Sequence, residues 1–160
     1  MMNQILPKSG IDVYRGKGFL VDSHTIQAGS KQISAQNIVL AVGQHDSNLS
    51  VEGNQYIHHS KDFLDLPHLP KSVIIIGAGL ISMEFTSMLI KAGVKVDVVE
   101  FSNRALSAFY AKNVSKLVKK LQQEGVNFHF QETVNKIEKH GENFTVTTKS
   151  GLSLSAEYVF

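Results

Sequence analysis

At 160 residues, 42% hydrophobic and 19% charged, the chain is long enough to bury a core and too apolar to stay disordered. A formal net charge of +2 offers no concentrated basic surface, so neither nucleic acid nor a membrane surface is expected as a partner. With no cysteine, the chain supplies no disulfide, thiolate nucleophile or thiolate metal ligand.

No apolar run is long enough to span a bilayer, and Met1-Met2-Asn3-Gln4 lacks the charged and apolar regions of a signal peptide. A cytoplasmic location is expected.

In chain order, the first 43 residues resemble the last 36. Gly10-Ile11-Asp12-Val13-Tyr14 parallels Gly125-Val126-Asn127-Phe128-His129, and the stretch from Gln32 to Leu40 parallels that from Ser153 to Phe160. Short strands and a Gly-centred turn lie between each pair, a weak internal repeat. Residues 44–70 read as a non-regular connector, marked by Asp46-Ser47-Asn48, Pro67 and Pro70. His58-His59 within it has no further ligand at a convincing spacing, so a packed or solvent-facing pair is expected and no metal site.

Val73-Ile74-Ile75-Ile76 is a β-branched run without polar alternation, the pattern of a parallel strand buried on both faces. A helix follows Gly77-Ala78-Gly79, with Ile81, Phe85, Met88, Leu89 and Ala92 as its apolar stripe and Gly93 as its stop. Lys95–Glu100 reads as the next strand, completing a βαβ unit of about 30 residues. A second helix is predicted near 110–124. Val114, Leu117, Val118 and Leu121 form its buried face, Lys112, Lys116, Lys119 and Lys120 its solvated one, and Gly125 its end. Short strands around Phe128–Phe130, Val134–Ile137 and Phe144–Thr147 come after it.

The chemistry sits on the glycine turn. Gly77 permits the tight turn from strand to helix, and Gly79 lets backbone approach a pyrophosphate. The helix behind them presents unpaired N–H groups and a partial positive charge to that anion. Ser82 stands where a third glycine is usual and is still small enough for close helix–strand packing. Glu100, 23 residues after Gly77, is placed to accept hydrogen bonds from an adenosine ribose. It also disfavours a 2′-phosphate, since like charges about 4 Å apart cost roughly 1 kcal/mol in water and about 4 at a half-exposed site. NAD is therefore expected over NADP, with Arg104 able to soften the preference by binding a phosphate. Glu84, at the edge of the apolar stripe, calls for solvent or a partner.

Gly77-Ala78-Gly79-Leu80-Ile81-Ser82-Met83-Glu84 resembles the NAD(P) motif of the pyridine nucleotide–disulfide oxidoreductases, the glutathione reductase and dihydrolipoamide dehydrogenase group. Leu66–Val73 is similar to the lead-in to that motif, and Ala35–Gly43 to the segment closing the family's FAD domain. The resemblance implies that Gly77 and Gly79, with Leu80 and Ile81, hold the NAD pyrophosphate. It implies that Glu84 lies near the nicotinamide and pairs with a lysine of the FAD domain. Glu100 would bind the ribose, Phe101 and Val134 would flank the adenine, and Gly43 would belong to the FAD edge. Three positions depart from the pattern: Val42 for threonine, Leu80 for a tyrosine that gates the nicotinamide pocket, and Tyr110 for aspartate.

The expected fold is α/β: a Rossmann-type parallel sheet with an antiparallel β-meander, preceded by the β-rich tail of an FAD domain. The expected organisation is residues 1–50 as that tail, 51–70 as connector, and 71–160 as an NAD(H)-binding domain ending inside its closing strand. The expected function is the NAD(H)-binding part of a flavin-dependent oxidoreductase. It passes hydride from NADH to FAD and on to a disulfide or similar acceptor, in a parent that dimerises through a domain outside this chain. The chain alone is expected to be inactive. A stand-alone dinucleotide-binding or redox-sensing module is the alternative, and it requires residues 1–43 to close into an independent unit. An S-adenosylmethionine-dependent methyltransferase also uses a glycine-rich turn followed by an acid, and the Ala-Val-Gly segment and the repeat argue against it.

Overall fold

The computed structural model describes residues 9–43 and 49–160. The chain forms two compact units, Met1–His45 and Asp46–Phe160. In the first, β1 (Gly18–Leu20), β2 (Thr25–Ala28) and β3 (Lys31–Ser34) make a three-stranded antiparallel sheet in that order. None of residues 9–43 is buried, and Phe19, Leu20, Val39, Leu40 and Val42 are exposed.

The second unit is built on a parallel sheet. Its strands are β4 (Ser72–Ile76), β5 (Lys95–Glu100), β6 (Asn127–Phe130) and β10 (Tyr158–Val159), in the order β10-β4-β5-β6. Three further strands, β7 (Val134–His140), β8 (Asn143–Thr148) and β9 (Ser153–Ala156), form an antiparallel meander. The helices are α1 (Ser60–Leu64), α2 (Leu80–Lys91) and α3 (Ala111–Gln123). No helix among the described residues is long and apolar enough to cross a membrane.

The β-branched run Val73–Ile76 lacks alternation because both faces of β4 are covered. Val73 and Ile75 pack with Val96, Val98, Met83, Leu89, Val114 and Leu121 on the helical side. Ile74 packs with Val99, Ile137, Val146 and Val159 on the meander side. Gly93 and Gly125 end α2 and α3 with the same closing bonds: Val94 N–H donates to the Leu89 carbonyl, and Val126 N–H to that of Leu121. The lysine face of α3 is exposed as expected, and Leu117, expected on the buried face, is exposed as well because only Val114 and Leu121 are fully covered.

Three expectations change. The repeat holds for the two meanders and fails outside them. Asn127–Phe130 and Tyr158–Val159 are strands because β5 and β4 pair with them; Gly10–Tyr14 and residues 38–40 have no parallel neighbour among the described residues and are not strands. On α2, the buried residues are Met83, Thr86 and Leu89, while Ile81 and Met88 are exposed. That helix is apolar nearly all round, so its spacing allowed more than one stripe.

The segment read as a non-regular connector contains a 3-10 turn, Asn54–Tyr56, and helix α1. It also fills the core: Leu49, Val51, Tyr56 and Ile57 pack on the meander cluster, and the Phe63 ring stacks on Phe85 with centroids 3.7 Å apart. These apolar residues lie mostly outside regular elements, so they follow no helical or strand period.

Candidate functional site

The sheet order reverses at β4. The chain moves from β4 to β5 and β6 on one side, then returns with β10 on the other. Such a reversal opens a crevice at the carboxyl ends of the strands. A cleft of about 620 Å³ lies there. Ile76, Gly77 and Val99 form its floor at the strand ends; Ile81, Ser82 and Phe85 of α2 form one side; Phe101, Thr133 and Val134 form another.

The turn into α2 is held by main-chain bonds. Gly77, with φ +90°, occupies a conformation that L side chains rarely adopt, and its N–H donates to the Val99 carbonyl at 2.8 Å. The Ala78 N–H donates to Oε2 of Glu100 at 2.6 Å, and the Ala78 carbonyl accepts from Leu106 N–H at 2.9 Å. Gly79 is the residue before α2, no side chain caps that helix, and its first turn holds no acid. The N–H groups of Leu80, Ile81 and Ser82 therefore sit at the positive end of the helix without intrahelical partners. A Cβ added at Gly77 or Gly79 would meet nothing within 4 Å, so the space over the turn is open. That combination suits an anion.

Glu100 is buried. Its second oxygen, Oε1, accepts from the Ser102 N–H at 2.7 Å, so two of about four acceptor positions are used by main chain. Arg104 is engaged elsewhere. Its guanidinium donates to the carbonyls of Leu106 and Phe109, each at 3.2 Å, and to that of Ser107, which binds it to the loop before α3.

Of the residues singled out from sequence, Gly77, Ile81, Ser82, Phe101 and Val134 line the cleft, with Gly79 in the adjoining turn. Leu80 is exposed and off the cleft wall. Glu84 is exposed and makes no ion pair among the described residues. Gly43 lies in the first unit.

Sequence reasoning missed the wall formed by Leu49, Asn54, Ile57, His59, Ser60 and Phe160, and missed Glu132. His58 is a packed histidine, as expected. Its ring centroid is 5.0 Å from that of Tyr158 and 5.7 Å from that of Phe160, and its main-chain N–H donates to the Val159 carbonyl at 2.8 Å. Glu132 is tied to the same corner by its N–H, which donates to the Glu100 carbonyl at 3.0 Å. Its carboxylate accepts from Ser150 Oγ, 2.8 Å from Oε1 and 2.7 Å from Oε2. Hydrogen bonding from Thr148, then Ser150, holds its pKa below the ordinary value.

The family model described as pyridine nucleotide-disulphide oxidoreductase matches residues 2–160. A soluble pyridine nucleotide transhydrogenase of Chromohalobacter salexigens is 31% identical over 167 residues, covering 98% of this chain and 35% of the relative. A glutathione reductase of Nostoc is 26% identical, covering 89% and 31%. Among solved structures, a Cu(II) complex of the HOCl-induced flavoprotein disulfide reductase RclA from Escherichia coli superposes with a TM-score of 0.81 at 22% identity, over 99% of this chain and 37% of that one. The chain thus spans about a third of the length of the curated relatives it matches.

Proposed function

The chain belongs to the pyridine nucleotide-disulphide oxidoreductase family, and from that premise we propose that residues 46–160 bind NAD(H) in the cleft at the ends of β4 and β5, as one part of a larger flavin-dependent oxidoreductase. The observation that carries this reading is the uncapped start of α2 over an open Gly77–Gly79 turn, set where the strand order reverses.

The residues present fit a dinucleotide. The N–H groups of Leu80 and Ile81 take the pyrophosphate, with Ser82 keeping the helix close. Glu100 meets the adenosine ribose with the acceptor positions that Ala78 and Ser102 leave open. Phe101 and Val134 flank the adenine. Glu84, exposed here, belongs at the nicotinamide end, paired with a lysine outside this chain. NADH is preferred over NADPH because Glu100 repels a 2′-phosphate and Arg104 is already bound to three carbonyls.

When bound, NADH supplies the hydride that the parent enzyme passes through FAD to a disulfide or similar acceptor; this chain holds and orients the donor. In this reading the first unit is the tail of the FAD domain, with Gly43 at the flavin edge. The exposure of Phe19, Leu20, Val39 and Val42 supports that assignment, since an apolar surface of this kind calls for a covering element. The parent is a cytoplasmic enzyme that dimerises through a further domain.

The test is calorimetric titration of the chain with NADH and NADPH side by side, repeated with Glu100→Ala. Tighter NADH binding, with the preference lost in the variant, is the expected result. A folded chain that binds neither nucleotide overturns the reading.

A further inference from the structure

We propose that Glu132 selects adenine among purine bases, by accepting a hydrogen bond from the 6-amino group of the bound dinucleotide. The inference rests on the dinucleotide reading above and assigns a residue that reading leaves without a role.

Position comes first. Glu132 lines the cleft together with Phe101 and Val134, the pair assigned to the adenine. Its main chain is bonded to the Glu100 carbonyl, so it begins where the ribose-binding strand ends. A base held between Phe101 and Val134 would share its cleft with this carboxylate.

The side chain is a fixed acceptor. The carboxyl is ionised at neutral pH, with Thr148 and Ser150 lowering its pKa below the ordinary value, and an ionised carboxyl accepts hydrogen bonds and donates none. Ser150 lies within 2.8 Å of both oxygens but has only one proton to give, so acceptor positions remain unused. Ser150 is itself held in the turn between β8 and β9, 3.0 Å from Thr148 Oγ1. The carboxylate is therefore oriented before a ligand arrives, which lowers the entropy cost of binding.

The chemistry gives the direction of selection. The 6-amino group of adenine is a donor and matches the carboxylate. The 6-oxo group of hypoxanthine or guanine is an acceptor, so a carboxylate placed on the 6-substituent itself repels it, and the nearest donor of those bases is the neighbouring N1–H.

The experiment titrates the chain with NADH and with its hypoxanthine analogue, deamino-NADH, in wild type, Glu132→Ala and Glu132→Gln. Wild type is expected to prefer NADH by about tenfold or more, the scale of one hydrogen bond to a charged group. Glu132→Ala is expected to bring the two affinities together. Glu132→Gln keeps the size of the side chain and adds an amide donor, so it is expected to shift the ratio toward the analogue. Equal binding of both ligands by wild type, or a preference that survives both substitutions, overturns the role of Glu132 and leaves the dinucleotide site standing. Binding of neither ligand by folded protein overturns both.

Discussion

The main-chain N–H of Ala78 donates to Oε2 of Glu100 at 2.6 Å, which ties the turn leaving β4 to the residue closing β5. The acid at the end of the second strand thus braces the glycine turn, with Oε2 on the Ala78 N–H and Oε1 on the Ser102 N–H.

Glu100→Ala should therefore cost stability as well as nucleotide preference. It leaves the buried N–H of Ala78 and the partly buried N–H of Ser102 without their acceptors, and a buried orphan such as the first costs about 1–3 kcal/mol. Urea denaturation of the ligand-free protein reads this directly. An unchanged midpoint would show that the turn holds itself together without the carboxylate.

Gly53→Ala is expected to be among the most damaging single changes in the unit. Gly53 has φ +81°, and an added Cβ would sit 1.8 Å from the Ile137 carbonyl oxygen. That oxygen is on β7, whose Ile137 N–H donates to Glu52 at 2.8 Å, so neither chain can retreat without breaking the contact. A loss of roughly 3 kcal/mol or more is anticipated, strain and clash together. A variant that melts within a degree or two of wild type would refute the close approach.

Phe63→Ala tests whether the segment before β4 belongs to the core of this unit. Phe63 is buried, stacked on Phe85 and edge-on to Phe160, with centroids 5.5 Å apart. Truncating a buried phenylalanine costs about 3–5 kcal/mol. A change below 1 kcal/mol in chemical denaturation would mean that α1 is only loosely attached.

Glu132 and Lys136 predict opposite pH behaviour. The Glu132 pKa is held below its ordinary 4.5 by Thr148 and Ser150, so its stabilising contribution is present above that value and fades as pH falls through it. Lys136 is raised above 10.5 by Glu138 and Glu52, so its contribution is present below that value and is lost as pH climbs past it. The stability gap between wild type and Glu132→Gln should be present at neutral pH and close as pH falls below the ordinary 4.5 and through the lowered pKa of the folded state. A gap that persists in acid would assign the effect to packing.

The central unit was legible because its signals are local. Val73–Ile76, the glycine turn, the amphipathic α3 and the acid at position 100 each carry their meaning within a few residues. The buried face of α2 was not, since Ile81 and Met88 suit an apolar stripe as well as Met83 and Leu89 do. Only the strands beneath the helix decide between them. Half of the cleft was hidden for a related reason. Leu49, Asn54 and Ile57 follow no period, and Glu132 reads as an ordinary polar residue until Ser150, 18 positions later, is seen beside it. The repeat pointed to two meanders and overreached at Gly10–Tyr14, where similarity of sequence came without a neighbouring strand among the described residues.

The late arrival of β10 has a kinetic consequence. Ser72, on the strand that opens the sheet, meets Glu157 across 85 positions of sequence, whereas β4, α2 and β5 are consecutive. Distant pairings form slowly because a long loop must first be closed. As the chain leaves the ribosome, the glycine turn and its bracing acid are thus assembled early. Phe160, and the main-chain bond from His58 to Val159, are added at the end. The cleft wall that Phe160 supplies is therefore the last part of the unit to close. In refolding, protection of the His58–Val159 main-chain bond from hydrogen exchange should lag that of the β4–β5 ladder.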